Sequence, residues 1–111
     1  ISSLEVEISV LEHPQILDAA AIPVPAEHEE DEVMIVVEPK PNQVIDPAEL
    51  TEFLIPRMAH FMVPRYVRIM ATLPKTPTNK VQKPLLKEQG VTADTWDREA
   101  AGIVLKRTKL D

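Results

Sequence analysis

Two short apolar runs constrain the fold of this chain more than any other feature of its sequence. Residues 16–24 are rich in Ala, Ile and Val, a pattern that predicts a buried strand. We expect this strand to end at Pro23 and Pro25. Residues 33–37 are apolar without alternation, which is typical of a strand covered on both faces. We expect the two strands to form a hairpin. Because each run is far shorter than the roughly 18 residues of a transmembrane helix, no membrane span is predicted.

Three helices are predicted, and the first and third have clear ends. Ser2 is the N-cap and Glu5 the third position of a capping box that begins the first helix, which ends at His13-Pro14. The apolar residues of this helix recur at helical spacing, at Leu4, Ile8 and Leu11. A short third helix begins at Lys83-Pro84 and is closed by Gly90.

The second helix begins at Asp46, with Pro47 in its first position and Glu49 in its third. Its predicted inner stripe comprises Leu50, Phe53, Leu54, Met58 and Phe61. Pro56 falls late in this stripe, and we expect it to kink the helix or to end it early.

The remaining elements complete the predicted fold. A third strand is predicted at residues 66–70, and residues 94–99 are assigned at most a further short helix. The order of elements predicts a small α+β domain, in which a three-stranded sheet, the hairpin plus the third strand, has helices packed against it. We expect one domain at residues 1–90 and a C-terminal tail at residues 91–111.

The composition excludes several kinds of chemistry. The absence of cysteine excludes disulfides, thiolate metal sites and thiol catalysis, and it fits a reducing, cytoplasmic setting. The only glycines are Gly90 and Gly102, so the clustered glycines of P-loop and dinucleotide-binding turns are lacking. No metal site is predicted, because the three histidines have no ligand spacing: His13, His28 and His60.

The formal net charge of -6 is unevenly distributed along the chain. Residues 1–52 hold 13 acidic side chains and one basic one, whereas residues 53–87 hold seven basic side chains and no acidic one. Such a cationic block either faces an anion or is a solvated surface balanced by the acidic half. Nucleic acid is a poor candidate partner, because the whole chain is acidic and its few aromatic residues form no stacking pattern.

The loop at residues 73–83 presents Lys75 and Lys80 among two prolines and several Thr and Asn side chains. The prolines restrict the loop, which lowers the entropic cost of holding a lysine against a ligand. By itself, a lysine on such a loop is most often only a surface residue. The pattern therefore leaves open both an anion contact and a plain surface position.

Four segments, ISSLEVE, HPQILDAAAIPVP, HFMVPRYV and LPKTPTNKVQK, follow one another across residues 1 to about 90. In order and spacing they resemble the C-terminal domain of the adenylate-forming superfamily, which includes acyl-CoA synthetases, the adenylation domains of peptide synthetases and luciferases. The segments FMVPRY and TWDRE are most similar to the carnitine/crotonobetaine-type acyl-CoA ligases.

This resemblance implies a fragment that starts inside a longer polypeptide. The large N-terminal domain of that polypeptide would make most of the contacts to ATP, Mg²⁺ and a carboxylic acid substrate. The carboxylate would attack the α-phosphorus of ATP to give an acyl-adenylate and pyrophosphate. Coenzyme A would then attack the acyl carbon and release AMP. The present domain would act as a lid with one orientation for each half-reaction, and it would be inactive alone.

The resemblance also implies roles for particular residues. Lys80 matches the family's catalytic lysine, and Asn79 before it stands where the family usually has glycine. Arg57 and Lys75 are candidates for contacts with the anionic end of coenzyme A or with the nucleotide. The residues expected near the pantetheine in the second orientation are Ser2 and Ser3.

Two alternatives to an acyl-CoA synthetase stay open at this point. In the first, the same lid belongs to an adenylation domain that loads a carrier-protein thiol instead of coenzyme A. In the second, the chain is a non-catalytic interaction module whose basic block docks on an acidic partner.

Overall fold

The computed structural model describes residues 2–25 and 31–103. These residues form three α-helices and four strands, in the order α1 Ser3–Leu11, β1 Ile16–Val24, β2 Glu32–Pro39, α2 Pro47–Leu54, β3 Tyr66–Ile69, α3 Lys83–Gln89 and β4 Trp96–Asp97. Two 3₁₀ turns lie between α2 and β3, at Ile55–Arg57 and His60–Met62. No helix among the described residues is both long and apolar enough to cross a membrane.

The strands form one sheet in the order β1-β2-β3-β4. β1 and β2 are antiparallel, as predicted, with Ala20 opposite Val36. β2 and β3 are parallel, and the connection between them carries α2. The predicted α+β class is thereby confirmed, with one strand more than the predicted three.

The fourth strand corrects the prediction of a short helix at residues 94–99. Trp96 pairs with Val67, and the guanidinium of Arg65 donates two hydrogen bonds to Asp97, from Nε at 3.0 Å and Nη2 at 3.1 Å. Buried Arg98 donates from Nε to the carbonyl of Pro64. These residues are fixed by specific polar contacts instead of an apolar stripe, which is why the sequence pattern did not indicate a strand. Residues 104–111 of the predicted tail lie outside the described residues.

The sheet is covered on both faces, as the unbroken apolar run of β2 predicts. On one face, residues of α1 and α2 pack against alternate strand residues: Val6, Val10, Leu50 and Leu54 from the helices, and Ala19, Ala21, Ile35, Val37 and Val67 from the strands. On the other face, Leu73 and, from α3, Leu86 belong to a second cluster with Ala20, Ile22, Met34 and Val36. Successive residues of β2 therefore point to two different cores.

Helix α1 begins as predicted but buries a different stripe from the one its spacing suggested. The Ser2 hydroxyl accepts a hydrogen bond from the Glu5 amide at 3.3 Å, so Ser2 is the N-cap. The side chains of α1 that face the core are Val6 and Val10. The predicted stripe is instead exposed: Leu4 to 65%, Ile8 to 52% and Leu11 to 44%. The helix carries two apolar stripes, and contact with β1 decides which one is buried.

Helix α2 is shorter than its predicted stripe. Asp46 caps it by accepting a hydrogen bond from the Ala48 amide at 3.0 Å. The helix ends at Leu54, because Pro56 has no amide hydrogen to continue the ladder. Met58 has an extended backbone, and Phe61 is exposed. The predicted helix is therefore too long, but Met58 still packs against the core as predicted, and only Phe61 of the predicted stripe is exposed.

The orientation of α1 can be tested by a pair of matched substitutions. Val10→Ala removes two buried methyl groups, and we expect it to lower the free energy of unfolding by about 2 kcal/mol. Ile8→Ala, on the exposed stripe, should change that free energy by no more than about 0.5 kcal/mol. Urea unfolding of both variants measures the difference, and equal costs would contradict the described orientation.

The Arg65–Asp97 pair predicts a specific dependence of stability on pH. Hydrogen bonding by Arg65 lowers the pKa of Asp97 below its ordinary value of 3.8. A carboxyl whose folded pKa is lowered contributes stability above its ordinary pKa and loses it as pH falls through the folded value. The difference in unfolding free energy between the wild type and Asp97→Asn should therefore be constant between about pH 5 and 7 and shrink below about pH 4. Urea unfolding at stepped pH measures this difference, and a difference that grows on acidification would contradict the pairing.

Candidate functional site

The predicted lysine loop forms a tight hairpin, which we call the Lys80 hairpin and define as residues 74–82. Lys75 and Val81 form an antiparallel bridge at its base. Nearer the tip, the Thr76 amide donates to the Lys80 carbonyl at 2.8 Å, and the Lys80 amide donates to the Thr76 hydroxyl at 3.1 Å. Both backbone polar groups of Lys80 are therefore bonded, so its position in the hairpin is fixed.

Asn79 supplies the backbone geometry that the turn requires. Its φ is 70°, in the left-handed region, and its amide donates to the Thr76 carbonyl at 2.9 Å. Asparagine enters this region more readily than most residues with a β-carbon. The replacement of the family's usual glycine is therefore accommodated in the fold.

The side chain of Lys80 is exposed at the tip of the hairpin. Within residues 2–25 and 31–103, no carboxylate forms an ion pair with its ammonium. The group is a point charge on a long stem, exposed to solvent beside a hydrogen-bonded turn. It can approach an anion brought from outside the domain.

Lys75 has a different environment, because its ammonium contacts the sheet. Its Nζ lies 2.9 Å from Oδ2 of Asp18 and 3.8 Å from Oε1 of Glu38. The same Glu38 oxygen accepts a hydrogen bond from the Leu73 amide at 3.1 Å. The hydrogen bond to Asp18 raises the pKa of Lys75 above its ordinary value. We call these three side chains the Asp18–Lys75–Glu38 clasp; the predicted contact of Lys75 with a ligand stays a prediction.

The other predicted site residues do not contact Lys80 through hydrogen bonds or ion pairs. Arg57 donates to the Phe53 carbonyl at 2.7 Å and stacks on the Phe53 ring at 3.7 Å, beyond the last turn of α2. Ser2 is occupied as the N-cap of α1. Ser3 lines a groove of about 370 Å³ beside β1 and β2. Their proposed ligand contacts therefore stay predictions.

Buried His13 and its carboxylate partner Glu49 make their contacts within the fold. His13 is buried between Glu49, 2.8 Å from its Nε2, and the Gln15 amide, which donates to its Nδ1 at 3.2 Å. The described ranges contain no group of three or more residues that could hold a metal ion, and His28 lies outside them.

Asp18 and Glu38 were not predicted as site residues, although both leave a signal in the sequence. Asp18 is the one charged residue inside an otherwise apolar strand, and Glu38 directly follows the apolar run of β2. A buried carboxylate must be paired, so these positions call for a basic partner. Spacing along the chain does not indicate which of the seven basic residues of 53–87 is this partner, and the structure shows that it is Lys75.

Comparison with known proteins agrees with this fold. The family model for the AMP-binding enzyme C-terminal domain matches residues 5–80, a match that ends on Lys80. The chain belongs to this family, the C-terminal domain of adenylate-forming enzymes. The resemblance recognised in the four sequence segments is thus confirmed.

The similar proteins are CoA ligases of much greater length. A protein described as a "probable CoA ligase" from Humulus lupulus is 38% identical over 79% of this chain and 16% of its own length. The peroxisomal trans-cinnamate:CoA ligase of Petunia hybrida is 33% identical over 87% of this chain and 17% of its own. The crystal structure of an acyl-CoA synthetase from Brucella canis superposes with a TM-score of 0.73 at 31% identity, over 79% of this chain and 17% of that one. This chain therefore spans about a sixth of each relative, and the narrower resemblance to the carnitine/crotonobetaine branch stays a prediction.

The left-handed turn at Asn79 gives a test of the hairpin. Asn79→Ala places an unsuited residue at positive φ, and we expect it to destabilise the local turn by about 1 kcal/mol relative to Asn79→Gly. Hydrogen exchange of the Thr76 amide, which is bonded across the turn, should therefore be about fivefold faster in the alanine variant than in the glycine variant. Equal exchange rates would contradict the left-handed geometry.

Proposed function

We propose that this chain is the C-terminal lid of an ATP-dependent acyl-CoA synthetase, in which Lys80 supplies the positive charge for adenylation. One observation carries the proposal: the lysine at the motif position is exposed on a hydrogen-bonded hairpin, without an ion pair to the described residues. The family membership and the CoA ligases among the relatives support the reaction class.

The chemistry of adenylation requires such a cation. A carboxylate oxygen bonds to the α-phosphorus of ATP while the bond from that phosphorus to the pyrophosphate oxygen breaks. Two anions must meet, and negative charge accumulates on the bridging oxygen. An ammonium about 4 Å away contributes roughly 4 kcal/mol at an effective dielectric constant near 20. That stabilisation corresponds to about a thousandfold in rate.

The remaining components are assigned outside this chain. The described residues hold no cluster suited to Mg²⁺. Since this chain spans only about a sixth of its relatives, we assign ATP, Mg²⁺, the carboxylic acid and most of the coenzyme A contacts to a large N-terminal domain of the same polypeptide. In the second half-reaction the lid turns, Lys80 leaves the reacting atoms, and the segment at Ser2 and Ser3 approaches the pantetheine. A single exposed lysine cannot perform either step alone, so the isolated chain should be inactive.

The test uses the full-length enzyme that carries this domain. Lys80→Ala should lower the rate of acyl-adenylate formation by about a hundredfold or more, while thioester formation from supplied acyl-adenylate changes by less than about twofold. The control is Lys87→Ala, which removes an exposed lysine from α3 and should leave both rates unchanged.

The same measurements separate the alternatives. Equal loss in both half-reactions would contradict the assigned role of Lys80. Turnover with a carrier-protein thiol but not with free coenzyme A would identify a carrier-loading adenylation domain. Absence of adenylation by the full-length protein, together with salt-dependent binding of an acidic partner, would favour the interaction module.

A further inference from the structure

The Asp18–Lys75–Glu38 clasp begins with an unfavourable arrangement in the sheet. Asp18 in β1 and Glu38 in β2 lie directly opposite each other in the antiparallel register. Like charges at such a position destabilise a sheet, and here Glu38 is only 8% exposed. A cation that contacts both carboxylates offsets this repulsion. Lys75, which is 23% exposed at its side chain, supplies that cation.

This cation belongs to the Lys80 hairpin itself. Lys75 is bridged to Val81, the residue next to Lys80. Two residues earlier, the Leu73 amide is bonded to Glu38, so the clasp fixes the entry to the hairpin at two adjacent points. At the exit, the Gln82 amide donates to the Pro74 carbonyl at 2.9 Å. The sheet and the hairpin are thus joined at the hairpin's base, while its tip stays free to meet a ligand.

We propose that the Asp18–Lys75–Glu38 clasp is a positioning device for adenylation, which sets the orientation of the hairpin and thereby the place of the Lys80 ammonium. Lys75 acts through Lys80 and does not itself touch the nucleotide or coenzyme A. The inference rests on the proposed function, because it needs Lys80 to act in the first half-reaction.

The distance dependence of the charge interaction gives the expected size of the effect. At an effective dielectric constant near 20, moving the ammonium from about 4 Å to about 6 Å from the developing charge lowers the rate by about tenfold. Release of the hairpin base can produce a displacement of that size, because Lys80 directly precedes Val81, the bridge partner of Lys75. A tenfold loss is also well short of the loss expected from removing Lys80.

The experiment compares the two half-reactions in the full-length enzyme. Lys75→Met keeps most of the stem but removes the charge, and it should lower adenylation by about tenfold while thioester formation from supplied acyl-adenylate stays within about twofold. Lys75→Arg keeps a cation between the carboxylates and should retain the adenylation rate within about threefold. The matched control is Asp97→Asn, which breaks a similarly exposed ion pair at β4, far along the sheet, and should leave the ratio of the two rates unchanged.

A double-mutant cycle separates positioning from direct ligand contact. If Lys75 acts through Lys80, adding Lys75→Met to Lys80→Ala lowers adenylation no further than Lys80→Ala alone. If the two losses multiply instead, Lys75 contacts a ligand independently, and the proposal is overturned. Equal loss in both half-reactions for Lys75→Met would likewise overturn it, because that pattern indicates a general loss of structure.

A structural measurement distinguishes failure of the clasp from failure of the proposed function. Lys75→Met should speed hydrogen exchange of the Thr76 amide by tenfold or more whether or not Lys80 is catalytic. Unchanged exchange would overturn the clasp, whereas normal adenylation by Lys80→Ala would overturn the proposed function. If Lys75→Met fails to fold, Asp18→Asn leaves the hairpin sequence intact and must show the same selective loss of adenylation.

Discussion

The burial of β2 on both faces is the constraint on which the rest of the structure depends. β2 lies between β1 and β3 in the sheet, and both of its faces are covered. Its side chains therefore alternate between two cores, and neither face is open to solvent. One core requires α1 and α2, and the other requires Leu73 and α3. The lysine hairpin is consequently built between Leu73 and α3, the two parts of the chain that cover the second face.

Some of the charged side chains at the edges of this apolar framework are paired. Near the end of the β1–β2 pair, Asp18 lies opposite Glu38, and Lys75 contacts both carboxylates. At the opposite edge of the sheet, Arg65 likewise pairs with a carboxylate, and its contact with Asp97 holds the two-residue β4 against β3. Lys80 differs in being exposed on a hydrogen-bonded hairpin. Lys75 and Arg65 thus bind to carboxylates of the sheet, whereas within the described ranges the Lys80 ammonium has no such partner.

Local sequence signals predicted the elements better than they predicted the contacts. The capping residues Ser2 and Asp46 and the doubly apolar β2 were foreseen, because each depends on a few neighbouring residues. The buried stripe of α1 was not, since Val6 and Ile8 are equally apolar and only the position of β1 distinguishes them. The clasp and β4 also escaped prediction, because they join charges far apart in the chain. Recognition of the family came from the order of four motifs, which carries information that no single motif contains.

On the proposed function, an exposed lysine is suited to a lid because solvent makes it weak until the lid closes. In bulk water an ammonium about 4 Å from a developing anion contributes about 1 kcal/mol, against roughly 4 kcal/mol at an effective dielectric constant near 20. Exclusion of water on closure therefore increases its effect on the rate by about a hundredfold. That gain needs the cation to arrive already in place, since reorienting it in the closed site would cost free energy. A rigid hairpin anchored to a doubly buried strand meets this need, and a flexible surface loop would not.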